Sequence, residues 1–150
     1  MNEALTQRRA TLPGPGDEID RYEVVGEIAQ GGMAAVYLVR RHDTGGFDRL
    51  LAMKVMLPHL AGEPRFVDMF VDEARIASFV HHPNVVQVFD VGTTRDGLPF
   101  MVMEYLRGRS LVGLLQRTWL SEPRTLPPAM LYGIFSSVAS GLHAAPVATD

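Results

Sequence analysis

The apolar residues of this chain alternate in short runs as far as about residue 105 and then take up helical spacing. Tyr22-Glu23-Val24-Val25-Gly26-Glu27-Ile28 reads as a first strand and Val36-Tyr37-Leu38-Val39-Arg40 as a second, rich in β-branched and aromatic residues. Ala29 to Ala34 form the turn between them. Asp43-Thr44-Gly45-Gly46 predicts the next turn, and the apolar run Leu50 to Leu57 a buried third strand. Pro64 opens a helix, as a proline in the first turn can, and His81-His82-Pro83-Asn84 ends it. Val85 to Val91 and Phe100 to Tyr105 are two further strands around the turn Thr94-Arg95-Asp96-Gly97. Beyond Gly108, Ser110 caps a short helix through Leu111, Leu114 and Leu115. Pro123, Pro127 and Pro128 interrupt the chain, and a last helix from Ala129 gathers Leu131, Ile134, Phe135, Val138 and Leu142 on one face. The predicted order is five strands with one inserted helix, then helices only, an α+β pattern.

Two charges break this pattern. Lys54 lies inside the apolar third strand, and Glu73 falls within the helical stripe Phe66, Met69, Phe70, Ile76, Ala77 and Val80. A buried carboxylate is costly unless a cation meets it. The two residues are therefore expected to form an internal ion pair.

Composition changes the picture only at its edges. A hydrophobic content of 47% over 150 residues supports one domain with a true core. A net charge of −3 without a basic run gives no reason to expect nucleic-acid binding. The absence of cysteine excludes disulfides, thiolate zinc sites and a cysteine nucleophile. No apolar stretch is long enough to span a membrane, and the N-terminus lacks a signal-peptide core, so a cytoplasmic location is expected. Residues 1–20, with Pro13-Gly14-Pro15-Gly16, read as a flexible leader. The five histidines show no metal-ligand spacing, and no metal site is expected.

Gly31-Gly32 has three readings. It is a plain hairpin turn, a dinucleotide-binding turn, or a flap whose backbone N–H groups close over phosphates. The dinucleotide fold needs a helix N-terminus after the glycines, and here a strand follows.

With these pieces in order, the chain resembles the bacterial Hanks-type Ser/Thr protein kinases, of the myxobacterial kind. The resemblance rests on Ile28 to Leu38 as glycine-rich loop, Leu51-Ala52-Met53-Lys54 as the lysine strand and Glu73-Ala74-Arg75 in the helix. It continues through His82-Pro83-Asn84, Met103 to Leu111 as gatekeeper and hinge, and Gly141-Leu142-His143-Ala144-Ala145 before the catalytic loop. It implies a kinase small lobe and hinge over residues 21–107, arranged as one five-stranded antiparallel sheet plus a helix, and a partial large lobe over 108–150.

The resemblance implies an ATP site of Ile28, Gly31, Gly32, Val36, Ala52, Lys54, Glu73, Met103, Glu104, Leu106 and Ser110. Lys54 would hold the α- and β-phosphates, and Glu73 would orient it. Val36 and Ala52 would line the adenine slot, and the Glu104 carbonyl and Leu106 N–H would meet the adenine edge. Ser110 stands at a ribose position, although capping explains a serine there equally well.

Ala29 and Ala34 replace two of the family's glycines, which implies a stiffer flap. The sequence holds no His-Arg-Asp, Asp-Phe-Gly or Ala-Pro-Glu segment, so no catalytic base or magnesium ligand is present. The family implies γ-phosphate transfer to protein Ser/Thr, with ATP and, in an intact kinase, Mg²⁺. The 150 residues alone are expected to be inactive and truncated. The competing reading is a non-catalytic, pseudokinase-like nucleotide-binding or regulatory module. Protein substrates and regulators are not legible, and the face of the last helix is expected to stay exposed or to mediate self-association.

Overall fold

The computed structural model describes residues 10–42, 46–119 and 126–144. The element order is β1 (Glu18–Ile19), β2 (Tyr22–Gln30), β3 (Ala34–His42), β4 (Asp48–Met56), α1 (Pro64–Phe79), β5 (Val88–Thr93), β6 (Pro99–Glu104), α2 (Leu111–Trp119) and α3 (Pro128–His143). The strands form one antiparallel sheet in the order β1-β2-β3-β4-β6-β5. The α+β architecture read from the pattern is present, with one more strand than expected. The turn expected at Asp43-Thr44-Gly45 lies outside the described residues, as do Pro123 and the start of the leader. The described chain divides into two compact units. One joins residues up to Ser78 with Gln87–Tyr105, and the other joins Phe79–Val86 with the residues from Leu106 onward.

In the first unit, strand parity sorts the core. Ala35, Tyr37 and Val39 of β3, Leu51, Met53 and Val55 of β4, and Phe100 and Val102 of β6 join Tyr22 and Val24 in one buried cluster. The opposite parity builds a second cluster, where Ala34, Met56 and Met101 meet Phe70 and Ala74 of α1. β4 is thus covered on both faces, which is why its sequence shows almost no polar alternation.

Residues 10–20, expected as part of a flexible leader, are built into this unit. Glu18–Ile19 pair with Tyr22 and Glu23, and the Gly16 N–H donates to the Val24 carbonyl at 2.8 Å. Ile19 is buried, and Ala10 and Leu12 pack on the first cluster. A two-residue strand has too little pattern to stand out beside a Pro-Gly run.

The outermost strands of the sheet are β1 and β5, yet polar bonds connect β5 to residues bordering β1. Asp90 on β5 accepts from Arg21 Nη2 at 2.6 Å and from the Tyr22 hydroxyl at 2.9 Å. The sheet is therefore curled, and this latch closes it. It also explains an inverted pattern on β5, whose apolar Phe89 and Val91 face outward while Asp90 is half-buried. Partial burial by itself would raise the Asp90 carboxyl; the Arg21 and Tyr22 hydrogen bonds outweigh it and hold it below its ordinary value. Gly92 is required by space, since a Cβ there would sit 2.6 Å from the Phe100 ring.

In the second unit, Gly141 of α3 lies against residues 84–85, where a Cβ would come within 3.2 Å of the Asn84 carbonyl oxygen. His82 Nδ1 accepts from the Asn84 N–H at 3.1 Å, so Nε2 carries the proton toward Ser140 Oγ, also at 3.1 Å. On the α3 face expected to be exposed, Phe135, Val138 and Leu142 are more than half exposed, while Leu131 and Ile134 are half-buried. Among the described residues, no helix is long and apolar enough to cross a membrane.

Two outcomes follow from this fold. Asp90→Ala removes the latch and leaves the Tyr22 hydroxyl without its acceptor, with only the Arg21 Nε bond at 3.3 Å remaining, which costs about 1–2 kcal/mol. Thermal unfolding should show a midpoint lowered by roughly 3–8 °C. The Asp90 contribution should hold above the ordinary carboxylate pKa and fade as pH falls through the lowered one.

His42 supplies the opposite sign. Its Nδ1 meets Asp48 at 2.9 Å and its Nε2 meets Glu23 at 3.1 Å, and these bonds raise its pKa. Its contribution is complete below the ordinary histidine value and is lost as pH rises through the raised one. Proton NMR should find the His42 midpoint above that of an unstructured histidine, and Glu23→Gln should bring it down.

Candidate phosphate-binding site

The register of β3, β4 and β6 builds the candidate site row by row. Val36, Lys54 and Met101 are cross-strand neighbours, and Leu38, Ala52 and Met103 form the next row on the same face. Ala52 is buried, Val36 and Met103 are half-buried, and Lys54 emerges between them. This is the α1-facing side of the sheet, so β4 parity aims the ammonium at the helix.

Lys54 Nζ donates to both carboxylate oxygens of Glu73, at 2.6 and 2.7 Å. It also stands 5.5 Å from the centroid of the Phe70 ring, a cation–π contact. The expected pair is present, but its setting differs from expectation. The Glu73 side chain is 53% exposed and that of Lys54 is 22% exposed. The inward arc of α1 is Phe66, Val67, Phe70 and Ala74, with Glu73 about 60° around the helix from Phe70. Met69 and Ile76, expected to face inward, lie beyond Glu73 and are exposed. Apolar residues on both sides of Glu73 made the stripe look wider than the arc that packs.

A half-exposed pair contributes at most about 1 kcal/mol to stability. Phe70 and Ala74, fully buried, hold the helix in place instead. The pair therefore serves position: it fixes a cation at the rim of the sheet with its remaining proton free to meet an anion.

The turn Gly31–Met33 lies at the same end of the sheet. Gly31 N–H donates to the Ala34 carbonyl at 2.9 Å, and Leu57 N–H donates to the Met33 carbonyl at 3.0 Å. Neither Gly31 nor Gly32 has a positive φ. A Cβ would meet nothing closer than 3.7 Å at Gly31 and nothing within 4 Å at Gly32. The fold thus gives no steric reason for either glycine.

The other expected residues fall as follows. Ile28 is about half exposed on β2, ahead of the turn. Glu104 ends β6, and its N–H is used internally by the Gln87 carbonyl at 2.9 Å. Leu106 and Ser110 belong to the second unit, where Leu106 is exposed. Ser110 Oγ accepts from the Gly113 N–H at 3.2 Å, so it caps α2. Among the described residues, no cluster of three or more His, Asp or Glu side chains could hold a metal ion. Phe70 and Ala34 were not singled out as site residues in the sequence; the i−3 position from Glu73 and period-two parity from Val36 on β3 mark their places.

Comparison with known proteins agrees with this geometry. Residues 22–145 match the family described as protein kinase domain. The tyrosine-protein kinase MasK of Myxococcus xanthus is 37% identical over 81% of this chain and 19% of its own length. The Myxococcus xanthus serine/threonine-protein kinase Pkn1 is 32% identical over 89% of this chain and 18% of its own. The Bacillus subtilis serine/threonine-protein kinase PrkC is 31% identical over 81% and 17%. The chain thus spans about a fifth of the length of these curated relatives. Among solved structures, the kinase domain of Mycobacterium tuberculosis PknI superposes with a TM-score of 0.67 at 27% identity, over 89% of this chain and 52% of that one. The family match spans the curled sheet, the lysine strand, the helix glutamate and the glycine turn, and the chain belongs to the protein kinase domain family.

Proposed function

We propose that the chain is the ATP-binding part of a Ser/Thr protein kinase, with residues 21–107 as small lobe and hinge and 108–150 as the start of the large lobe. One observation carries the reading. A lysine held by a glutamate at 2.6 Å stands at the end of the sheet that bears a turn of two glycines the fold itself does not require. Such a pair presents a fixed positive charge, and the turn, whose Gly31 N–H is used by the Ala34 carbonyl, presents the N–H groups of Gly32 and Met33; together they suit a di- or triphosphate. Val36, Ala52 and Met103 offer an apolar wall of the kind that receives a planar base.

ATP fits the residues present; magnesium does not. The sequence lacks the Asp-Phe-Gly and His-Arg-Asp segments that supply metal ligands and base in the family. We propose that the 150 residues alone bind nucleotide weakly and do not transfer phosphate. Transfer depends on positioned charge and a base, and only part of the first is here. Transfer to Ser/Thr hydroxyls in an intact protein is supported by the names of most of the relatives, one of which is named a tyrosine kinase. A cytoplasmic setting, where ATP is available, belongs to the same reading.

The second reading is a non-catalytic nucleotide-binding or regulatory module, which would use the same Lys54–Glu73 pair and turn. The two part on phosphate incorporation. With radiolabelled ATP and a basic protein acceptor, this chain should match a no-enzyme control. In equilibrium titration Lys54→Met should weaken ATP binding by roughly 5–20-fold, the loss of one charge-assisted contact. Lysine-dependent incorporation would defeat the claim of inactivity, and unchanged affinity in Lys54→Met would defeat the site.

The exposed face of α3 is proposed as the route of any self-association. Size-exclusion chromatography should show a concentration-dependent shift that Phe135→Glu abolishes, and a monomer at all concentrations would remove this proposal.

A further inference from the structure

The glycines of the turn Gly31–Met33 are unstrained and uncrowded, so its tip is held only through the backbone bonds at its base. The residue that follows it is not free at all. Ala34 is 5% exposed, and the cluster it joins contains Met56, Phe70, Ala74 and Met101. Its carbonyl takes the Gly31 N–H that closes the turn. Its cross-strand partner is Met56, two residues beyond Lys54 on the same face of β4. Phe70 and Ala74 lie on either side of Glu73 in sequence. One small apolar cluster therefore touches the turn, the lysine strand and the helix that carries the glutamate. Packed clusters shift between discrete arrangements and transmit displacement poorly by halves.

We propose that Ala34 is a positioning residue that keys the glycine turn to helix α1, so that the turn's grip on phosphate and the Lys54–Glu73 pair strengthen and weaken together. The proposal rests on the reading of the turn as a phosphate-binding flap. It gives the alanine at this position a purpose. A glycine would free the backbone and withdraw the methyl from Phe70 and Ala74. A larger side chain would push the helix outward and carry Glu73 with it.

The test is amide hydrogen exchange on the 150-residue chain, followed by nucleotide titration. Ala34→Gly should speed exchange by about tenfold in peptides covering the turn and, together with them, in peptides covering Phe66–Ile76. Ala34→Ser, which keeps the Cβ, should restore both regions to within about threefold of the parent. Should Ala34→Gly fail to fold, Phe70→Leu approaches from the helix side and must speed exchange in the turn as well as in α1. Acceleration confined to one region, or equal effects of Ala34→Gly and Ala34→Ser, overturns the coupling. In titration, Ala34→Gly should weaken ATP by roughly 3–10-fold while adenosine stays within about twofold, because only ATP reaches the turn. Equal losses for both ligands would show a general loosening of the fold and overturn the positioning role. If the parent chain binds neither ligand, the phosphate reading fails, and the exchange data still decide whether the turn and the helix are coupled.

Discussion

Burial of β4 on both faces is the constraint on which the rest depends. A strand with solvent on one side can place a lysine outward and lose nothing. Here Leu51, Met53 and Val55 fill one cluster and Met56 fills the other, so a slip of one residue would bury the wrong set on each side. The register with β3 and β6 is thereby fixed, and Lys54 is left between Val36 and Met101 on the helix side. An ammonium in that place needs a nearby acceptor, and α1 supplies Glu73. The charge is positioned by apolar packing; the ion pair completes the arrangement without holding it up.

The same economy is visible at the far edge of the sheet. A curled sheet has two ends to manage, and unpaired edges invite association. Arg21, Tyr22 and Asp90 close the curl with charge-assisted bonds. Both polar devices are partly exposed, and both sit where apolar packing has already brought the chain together. They differ in what remains available. Asp90 is occupied by three donors, from Arg21, Tyr22 and the Val91 N–H, whereas Lys54 has a proton left to offer to a ligand.

Much of this was legible in the residues. The strands from Tyr22 onward, α1 and both later helices declare themselves by period, and the pairing of Lys54 with Glu73 follows from two charges set in apolar patterns. Three things were not legible, each for a physical reason. β1 is two residues long beside a Pro-Gly run and carries no usable period. The width of the α1 stripe was overread because Met69 and Ile76 are apolar but lie outside the arc that packs. The closing latch joins residues 68 and 69 positions apart through a curl that one-dimensional pattern does not encode.

The glycine turn shows best how far local pattern reaches. From the sequence, Gly31-Gly32 was as much a hairpin turn as a flap, and the replacement of nearby glycines by Ala29 and Ala34 pointed only to stiffness. The structure shows a hairpin turn there, joining β2 to β3, in which neither glycine has a positive φ and neither is crowded. It also relocates the stiffness. Ala29 sits in β2 opposite Val36, within the ladder, while Ala34 is anchored beneath α1. A loop that is open at its tip and fixed at its base leaves the Gly32 and Met33 N–H groups bare while limiting where they point. That combination matters when a charged ligand is to be held against a lysine whose own position is set by the same packing.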